Sequence, residues 1–130
     1  MGFLDGLPLP HIKQNMMKRQ IILILILTII GFTSCQKLEI EKDTPKCIEN
    51  LIKKFDKEQS CDNGVNVKKY TFQGKTVYVF DPGNCGADMT SEVIDFECNS
   101  LGFLGGISGN TEINGEDFAN ATFESIIWEK

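Results

Sequence analysis

The chain has 130 residues, of which 13 are Lys or Arg, 18 are Asp or Glu and one is His. This length corresponds to one small domain. The acidic excess argues against nucleic-acid binding, which requires a basic surface. His11 stands near the start of the chain, so a mature protein that loses its leader has no imidazole for Ser–His–Asp or Cys–His chemistry or for a histidine metal site.

An uncharged apolar run of twelve residues, Ile21–Phe32, follows Lys18 and Arg19. As a helix it extends about 18 Å, which is too short for a bilayer core of roughly 30 Å. Its length and the preceding positive charges are typical of a secretory signal. A buried core helix is the alternative, but "IILILILTII" is apolar on every side. The run therefore predicts export.

The apolar run ends in "GFTSC". Thr33, Ser34 and Cys35 resemble a bacterial lipobox, where signal peptidase II cuts before a cysteine that carries lipid. Phe32 departs from this pattern, which usually has Leu at that position. We expect residues 1–34 to be a lipoprotein signal peptide and Cys35 to be the lipid-attachment residue, with an ordinary soluble signal and a chance cysteine as the alternative.

The first fifteen residues are unusual ahead of such a signal. Pro8 and Pro10 are expected to break any helix that continues into the apolar run. Because signals normally start with a Met just before the positive charges, we expect translation to begin at Met16 or Met17. Residues 1–15 are then a start-site extension.

Removal of residues 1–34 takes away three basic residues and one acidic residue, which leaves 96 residues with ten Lys, 17 acids and a net charge of −7. An even set of four cysteines in an exported chain predicts two disulfides. No two of the four are closer than 13 positions, which disfavours a Cys-x-x-Cys redox site and a zinc site. We expect no metal and no cofactor. The four are Cys47, Cys61, Cys85 and Cys98.

Residues 35–44 are polar and charged and are predicted to be a tether between the lipid and the domain. A helix is predicted over Thr44–Glu58, with Thr44 as its cap and Pro45 at the first helical position. One apolar face follows the helical period. Its residues are Ile48, Leu51, Ile52 and Phe55.

The segment "VNVKKYTFQGKTVYVF" predicts a β-hairpin that turns at Gln73–Gly74. In this register Phe72 faces Lys75, Tyr70 faces Val77 and Val67 faces Phe80. The face with Tyr70, Phe72, Val77 and Val79 is expected to pack on the helix, with Lys69 and Tyr78 on the opposite face.

The same register brings Cys61 nearly opposite Cys85 at the open end of the hairpin. The alternative Cys47–Cys61 pair needs an almost fully extended return, because a helix to Lys57 is about 15 Å long and four residues reach at most about 14 Å. Disulfide Cα atoms must approach within roughly 5–6 Å. We therefore predict Cys61–Cys85 and Cys47–Cys98.

Two further short strands are predicted at Val93–Asp95 and Leu101–Leu104, with a short helix from Thr90 as the alternative. "GGISGNTEINGED" is predicted to be a loop, and "ATFESIIWEK" a closing strand. Trp128 is expected in the core, with a sugar-stacking surface aromatic as the alternative. The predicted fold of residues 45–130 is α+β, with one N-terminal amphipathic helix packed on a small antiparallel sheet of four or five strands, stabilised by disulfides.

One set of motifs is spread over residues Pro45 to Lys130. It consists of Cys47, Gly74–Phe80, Cys85 with Asp88, Val93, Asp95, Cys98, Asn99 and Gly105–Gly109. In these motifs the chain is similar to a domain-of-unknown-function family of small cysteine-containing lipoproteins from Bacteroidota-type bacteria, and this resemblance implies no activity.

Acidic residues are concentrated in two places, around the Gly-rich segment and in residues 110–117. Paired carboxylates can hydrolyse glycosides, but a solvated acidic face has the same composition. "NTEINGED" (110–117) is loosely like a calcium loop and lacks its ligand spacing. The acids around the Gly-rich segment are Asp81, Asp88, Glu92 and Asp95.

We therefore expect a non-enzymatic envelope module, anchored to the outer membrane through lipid on Cys35, on the periplasmic or cell-surface side, that binds a protein or glycan partner and no nucleic acid. The alternatives are an inhibitor of a protease or other hydrolase, with "LGGISGN" as its exposed loop, and a carboxylate-based hydrolase.

Overall fold

The computed structural model describes residues 9–30 and 37–130, which fold as two units. The first contains helix α1 (Leu9–Ile30). Pro10 lies in the first turn of α1, where an N–H has no partner within the helix, so the expectation that this proline breaks the helix is wrong. Ile21, Ile22 and Leu23 are each more than half exposed, unlike residues of a buried core helix.

No helix in the described part of the chain is both long and apolar enough to cross a membrane. Phe32 and Cys35, which belong to the predicted cleavage and lipid-attachment site, lie outside the described residues, as do residues 1–8 of the predicted extension.

The second unit, Leu38–Lys130, combines helix α2 (Lys46–Glu58) with two antiparallel sheets. The strands are β1 (Val65–Phe72), β2 (Lys75–Pro82), β3 (Thr90–Asp95), β4 (Ser100–Gly105), β5 (Glu112–Ile113), β6 (Glu116–Asp117) and β7 (Thr122–Glu129). The main sheet has the order β4-β3-β2-β1-β7, and β5 pairs with β6. The fold is α+β as predicted. The prediction gave one N-terminal helix, but α1 precedes α2 in the chain, so α2 is the second helix.

The predicted register of the β1–β2 hairpin is confirmed at Phe72–Lys75, Tyr70–Val77 and Val67–Phe80. The predicted packing face is wrong. Ile48 and Ile52 of α2 cluster with a different set of strand residues, which defines the helix face of the sheet. Val77–Phe80 are buried without interruption, because β2 is covered on both faces, and apolarity alone does not show which face a helix takes. The helix face includes Val65, Val67, Tyr78, Phe80, Ile94, Ile127 and Trp128.

The opposite side, here called the second face, carries Phe72, Val77, Val79 and Val93, which pack with Ile113 of β5. The β5–β6 hairpin and a short 3-10 helix, Phe118–Asn120, cover this face. The prediction that residues 105–117 form a loop throughout is therefore wrong. The hairpin turns at Asn114–Gly115, where both residues have positive φ.

The chain before α2 packs on the sheet. Leu38 and Ile40 contact the core beneath α2, and Glu41 N–H donates to the carbonyl of Ile127 at 2.8 Å. The Thr44 hydroxyl donates to the Glu41 carbonyl and makes no cap, and Pro45 takes the N-cap position. The folded unit therefore begins at Leu38, within the predicted tether.

Strands β3 and β4 form where strands were predicted, and the alternative helix from Thr90 is absent from this described segment. The closing strand β7 pairs with β1 and carries register shifts opposite Val67–Lys68 and Lys69–Tyr70. Trp128 is 4% exposed and lies in the core cluster, so its core assignment is confirmed and the surface alternative is wrong.

The two disulfides join Cys47 to Cys98, with Cα atoms 6.2 Å apart, and Cys61 to Cys85, with Cα atoms 5.7 Å apart. These are the pairs that the hairpin register predicts. Two structural disulfides indicate an oxidising, extracytoplasmic compartment. The Cys61–Cys85 bond lies at what we call the upper end of the sheet, and Cys98 at the lower end. The upper end is marked by Val65, Pro82, Thr90, Gly105 and Glu129, and the lower end by the turns at Gln73–Gly74 and Phe96–Asn99.

Candidate functional site

The acids around the Gly-rich segment do not form one site. Asp81 lies near the upper end of β2, whereas Asp95 pairs with Val77 at the lower end. Four strand residues span roughly 13 Å, which is too far for the roughly 5–9.5 Å between paired glycosidase carboxyls. Asp88 lies in the exposed loop before β3, and Glu92 lies within β3.

Two of these carboxylates stabilise turns. Asp81 Oδ1 accepts the Gly83 N–H at 2.9 Å. Asp95 Oδ1 accepts the N–H groups of Glu97 and Asn99, both at 2.9 Å. These bonds fix the loop after β2 and the β3–β4 turn, which is an ordinary role of Asp in turns.

The calcium-like segment 110–117 forms the β5–β6 hairpin and its flanks. The Asn110 amide donates to the carbonyls of Phe103 and Glu112, so it joins β4 to β5. Asp117 Oδ1 accepts the Ala119 N–H and caps the 3-10 helix. Within residues 9–30 and 37–130, no group of three or more His, Cys, Asp and Glu side chains is arranged to hold a metal.

The second face carries a cleft of about 430 Å³ between the sheet and the β5–β6 cover. Tyr70 and Phe118 form its aromatic wall, with ring centroids 5.2 Å apart. The Tyr70 ring also contacts that of Phe123 at 5.6 Å. We call this hollow the Tyr70 cleft. It is lined by Tyr70, Leu104, Asn110, Thr111, Asp117, Phe118, Ala119 and Ala121.

The Tyr70 cleft combines aromatic surface with a few polar groups. Burial, and then the nearby Asp81 carboxylate, raise the pKa of Tyr70 above its ordinary value of 10.0, so its hydroxyl is a neutral donor and acceptor at physiological pH. Thr111 contributes a hydroxyl, and Asp117 has a second carboxylate oxygen beyond the one that caps the 3-10 helix. Apolar walls with a few oriented polar groups are typical of ligand sites.

Two other hollows are less suited to a ligand. One of about 450 Å³ lies where Glu39–Lys42 cross Ile126–Glu129, so the entering chain itself forms one wall. One of about 350 Å³ lies at the lower end beside Lys75, Asp95 and Phe96. Each is lined by one aromatic residue, Trp128 in the first and Phe96 in the second, whereas the Tyr70 cleft has two rings in contact.

The loop between β4 and β5 holds one apolar side chain in solvent. Gly105 and Asn110 exchange two backbone hydrogen bonds, of 2.8 and 3.1 Å, that close the loop. Gly109 N–H donates to the Gly106 carbonyl across it, and Gly106 N–H donates to the carbonyl of Met89. Ile107 at its tip is 90% exposed. The backbone therefore fixes the position of this side chain.

The sequence model of one family, the domain of unknown function DUF6970, matches residues 53–130. The chain belongs to the DUF6970 family. No curated protein and no solved structure matches it. The DUF6970 match begins inside α2 and includes every strand of both sheets, so the Tyr70 cleft lies within the family domain.

The Tyr70 cleft of this DUF6970 protein does not follow from the sequence pattern. That pattern predicts Tyr70 and Phe72 on the face beneath the helix and a loop over residues 110–117. The Asn114–Gly115 dipeptide carries the signal that was missed, because Asn-Gly is the strongest short hairpin signal. A hairpin there brings Ile113 and Phe118 onto the second face.

Proposed function

We propose that this DUF6970 protein is a non-enzymatic, lipid-anchored module of the bacterial cell envelope that holds a protein or glycan partner in the Tyr70 cleft. The lipobox resemblance of Thr33–Cys35 and the Bacteroidota-type resemblance support attachment to the outer membrane. The two disulfides are consistent with that compartment.

The observation that carries the proposal is the chemistry of the Tyr70 cleft. An aromatic wall offers stacking surface to a sugar ring or to an apolar side chain. The hydroxyls of Tyr70 and Thr111 and the carboxylate of Asp117 offer directional hydrogen bonds beside it. The roles of Asp81 and Asp95 in turns support a binding function over a carboxylate hydrolase.

Substitutions that spare the fold test this site. Asp117→Asn keeps a capping oxygen for Ala119 N–H and removes the charge, and Thr111→Ala removes one hydroxyl. We expect the double variant to weaken partner binding at least tenfold with unchanged thermal unfolding. Lys54→Ala, on the exposed side of α2, is the matched control.

Binding is measured by calorimetry against two sets of candidates, envelope glycan fragments and purified envelope proteins. A partner whose affinity is the same for wild type and double variant would place the site elsewhere. If no member of either set binds the wild-type protein, the proposal is wrong.

An inhibitor of a protease or other hydrolase is a second candidate because of Ile107. A backbone-fixed loop that presents one apolar side chain loses little conformational freedom when it enters a pocket. This candidate predicts that the purified protein inhibits a member of a hydrolase panel and that Ile107→Ser abolishes the inhibition.

A further inference from the structure

We propose that the upper end of the sheet faces the bilayer and that Ile107 is a second membrane contact, in addition to the lipid. This inference rests on the proposed lipid attachment at Cys35. The two contacts would hold the domain in one orientation on the membrane, and would leave the lower end facing away from it.

The length of the chain between the lipid and the fold limits the distance of the domain from the membrane. Leu38 is the first residue of the folded unit and the third after Cys35. Consecutive Cα atoms are 3.8 Å apart, so three steps reach at most about 11 Å in any conformation. The folded domain therefore begins close to the membrane surface.

The path of the chain shows which end is close. Glu41 bonds to Ile127, which lies two residues before the upper end of β7 at Glu129. The chain then continues to Cys47, which is joined to Cys98 at the lower end. The entering residues Glu39–Lys42 lie beside Ile126–Glu129, the upper half of β7, so the chain enters the fold next to the upper end.

The Ile107 loop lies at this same end, on the opposite edge of the sheet. It follows Gly105, the last residue of β4, which pairs with Thr90. Four strand spacings separate β7 from β4, or roughly 19 Å. Besides Ile107, the 40% exposed Met89 lies next to this loop. A flat surface at the upper end can therefore contact the entry of the folded unit near Leu38 and the Ile107 loop together.

The bilayer is the occupant that these observations favour. The short connection brings the upper end to the membrane in every molecule, whereas contact with a protein needs an encounter. Residues 105–110 carry no charge, as required of a loop tip that enters the membrane interface. One acyl chain alone holds a protein weakly on a membrane, so a second contact strengthens the attachment. Asp88 precedes Met89, so zwitterionic lipid suits this surface better than anionic lipid.

The test uses the lipoprotein purified from its own membranes and reconstituted in phosphatidylcholine vesicles that contain nitroxide-labelled lipid. In the proposed mature protein, all five cysteines are occupied by lipid or disulfides, so an introduced cysteine is the single site for bimane. Ile107→Cys places the fluorophore on the loop tip. Phe96→Cys, at a side chain that is 58% exposed at the lower end, is the matched control.

We expect nitroxide lipid to quench bimane at position 107 several-fold more strongly than bimane at position 96. Equal quenching at the two positions, or none at position 107, would overturn the inference. Inhibition of a hydrolase that is lost in Ile107→Ser, together with absent quenching, would assign the loop to a protein partner instead.

Labelling of the wild-type chain separates this inference from the proposed function. A wild-type protein that takes no bimane and partitions with vesicles retains the lipid anchor, so failed quenching then refutes the orientation alone. A wild-type protein that takes one bimane per chain and stays in solution has a free Cys35, which refutes the lipid anchor and the inference with it.

Discussion

Tyr78 shows how burial on the helix face controls one titrating group. Its side chain is 2% exposed and packs with Ile48, Ile52 and Phe80. Burial, and secondarily the carboxylate of Glu41, raise its pKa above the ordinary 10.0. The fold therefore favours the neutral phenol, and ionisation of Tyr78 works against the packing of the segment that contains Glu41.

We predict that Tyr78→Phe reduces the loss of stability at alkaline pH. Because the pKa is higher in the folded state, the stabilisation from neutral Tyr78 is complete below the unfolded value of 10.0 and is lost as pH rises through the folded value. Denaturant unfolding from about pH 8 to about pH 11 measures this slope.

Tyr70→Phe is the matched control, because the pKa of Tyr70 is raised in the same direction while its side chain is only partly buried. We expect a smaller change in slope for this variant. A Tyr78→Phe protein with the wild-type slope would mean that other groups control the alkaline transition.

The disulfides act on whole elements, since each ties a different pair together. Cys47–Cys98 joins the start of α2 to the β3–β4 turn, and Cys61–Cys85 closes the open end of the β1–β2 hairpin. Their sequence separations are 51 and 24 residues. In the chain-entropy description the longer loop gives the larger stabilisation.

We predict that replacing Cys61 and Cys85 by serine lowers the free energy of unfolding by about 3.5 kcal/mol, and replacing Cys47 and Cys98 by about 4 kcal/mol. Guanidinium unfolding of the domain from Leu38 measures both. If the loss of Cys61–Cys85 lowers the free energy of unfolding more than the loss of Cys47–Cys98, contacts at the upper end of the sheet contribute more than loop entropy.

Local sequence signals predict the register of paired strands, but they do not predict how distant segments pack together. The turn at Gln73–Gly74 and the period of two fix the β1–β2 register, which is confirmed residue by residue. The face taken by α2 depends on contacts between distant segments, which the continuous apolar run of Val77–Phe80 does not specify.

The candidate site was less predictable than the fold for the same reason. The Tyr70 cleft needs β1, the 3-10 helix and the end of β4 at one place, and these are far apart in sequence. Leu38 and Ile40 alternate with Glu39 and Glu41, but a period of two over only four residues of a charged segment is too short to predict a packed element, although both apolar residues contact the core. The charged composition of residues 35–44 therefore predicts a linker, although the folded unit begins within this segment.

At the scale of the whole molecule, the position where folding begins can be tested directly. Leu38 and Ile40 are partly buried against the core, and the Glu41–Ile127 hydrogen bond covers part of the outer edge of β7. A soluble chain that begins at Pro45 loses this apolar burial and one backbone hydrogen bond, together worth about 2 to 4 kcal/mol. An uncovered edge strand also invites pairing with other chains.

We therefore predict that the chain from Pro45 melts about 10 °C or more below the chain from Leu38, because each kcal/mol shifts Tm by about 4–8 °C in a domain of this size. Its apparent mass from light scattering should rise with concentration, whereas that of the longer chain should stay constant. A third chain, from Leu38 with Glu41→Ala, keeps the backbone bond and serves as control. If all three melt together, residues 38–44 are a tether that only rests on the sheet, and the proposed lipid anchor would then leave the domain free to turn on the membrane.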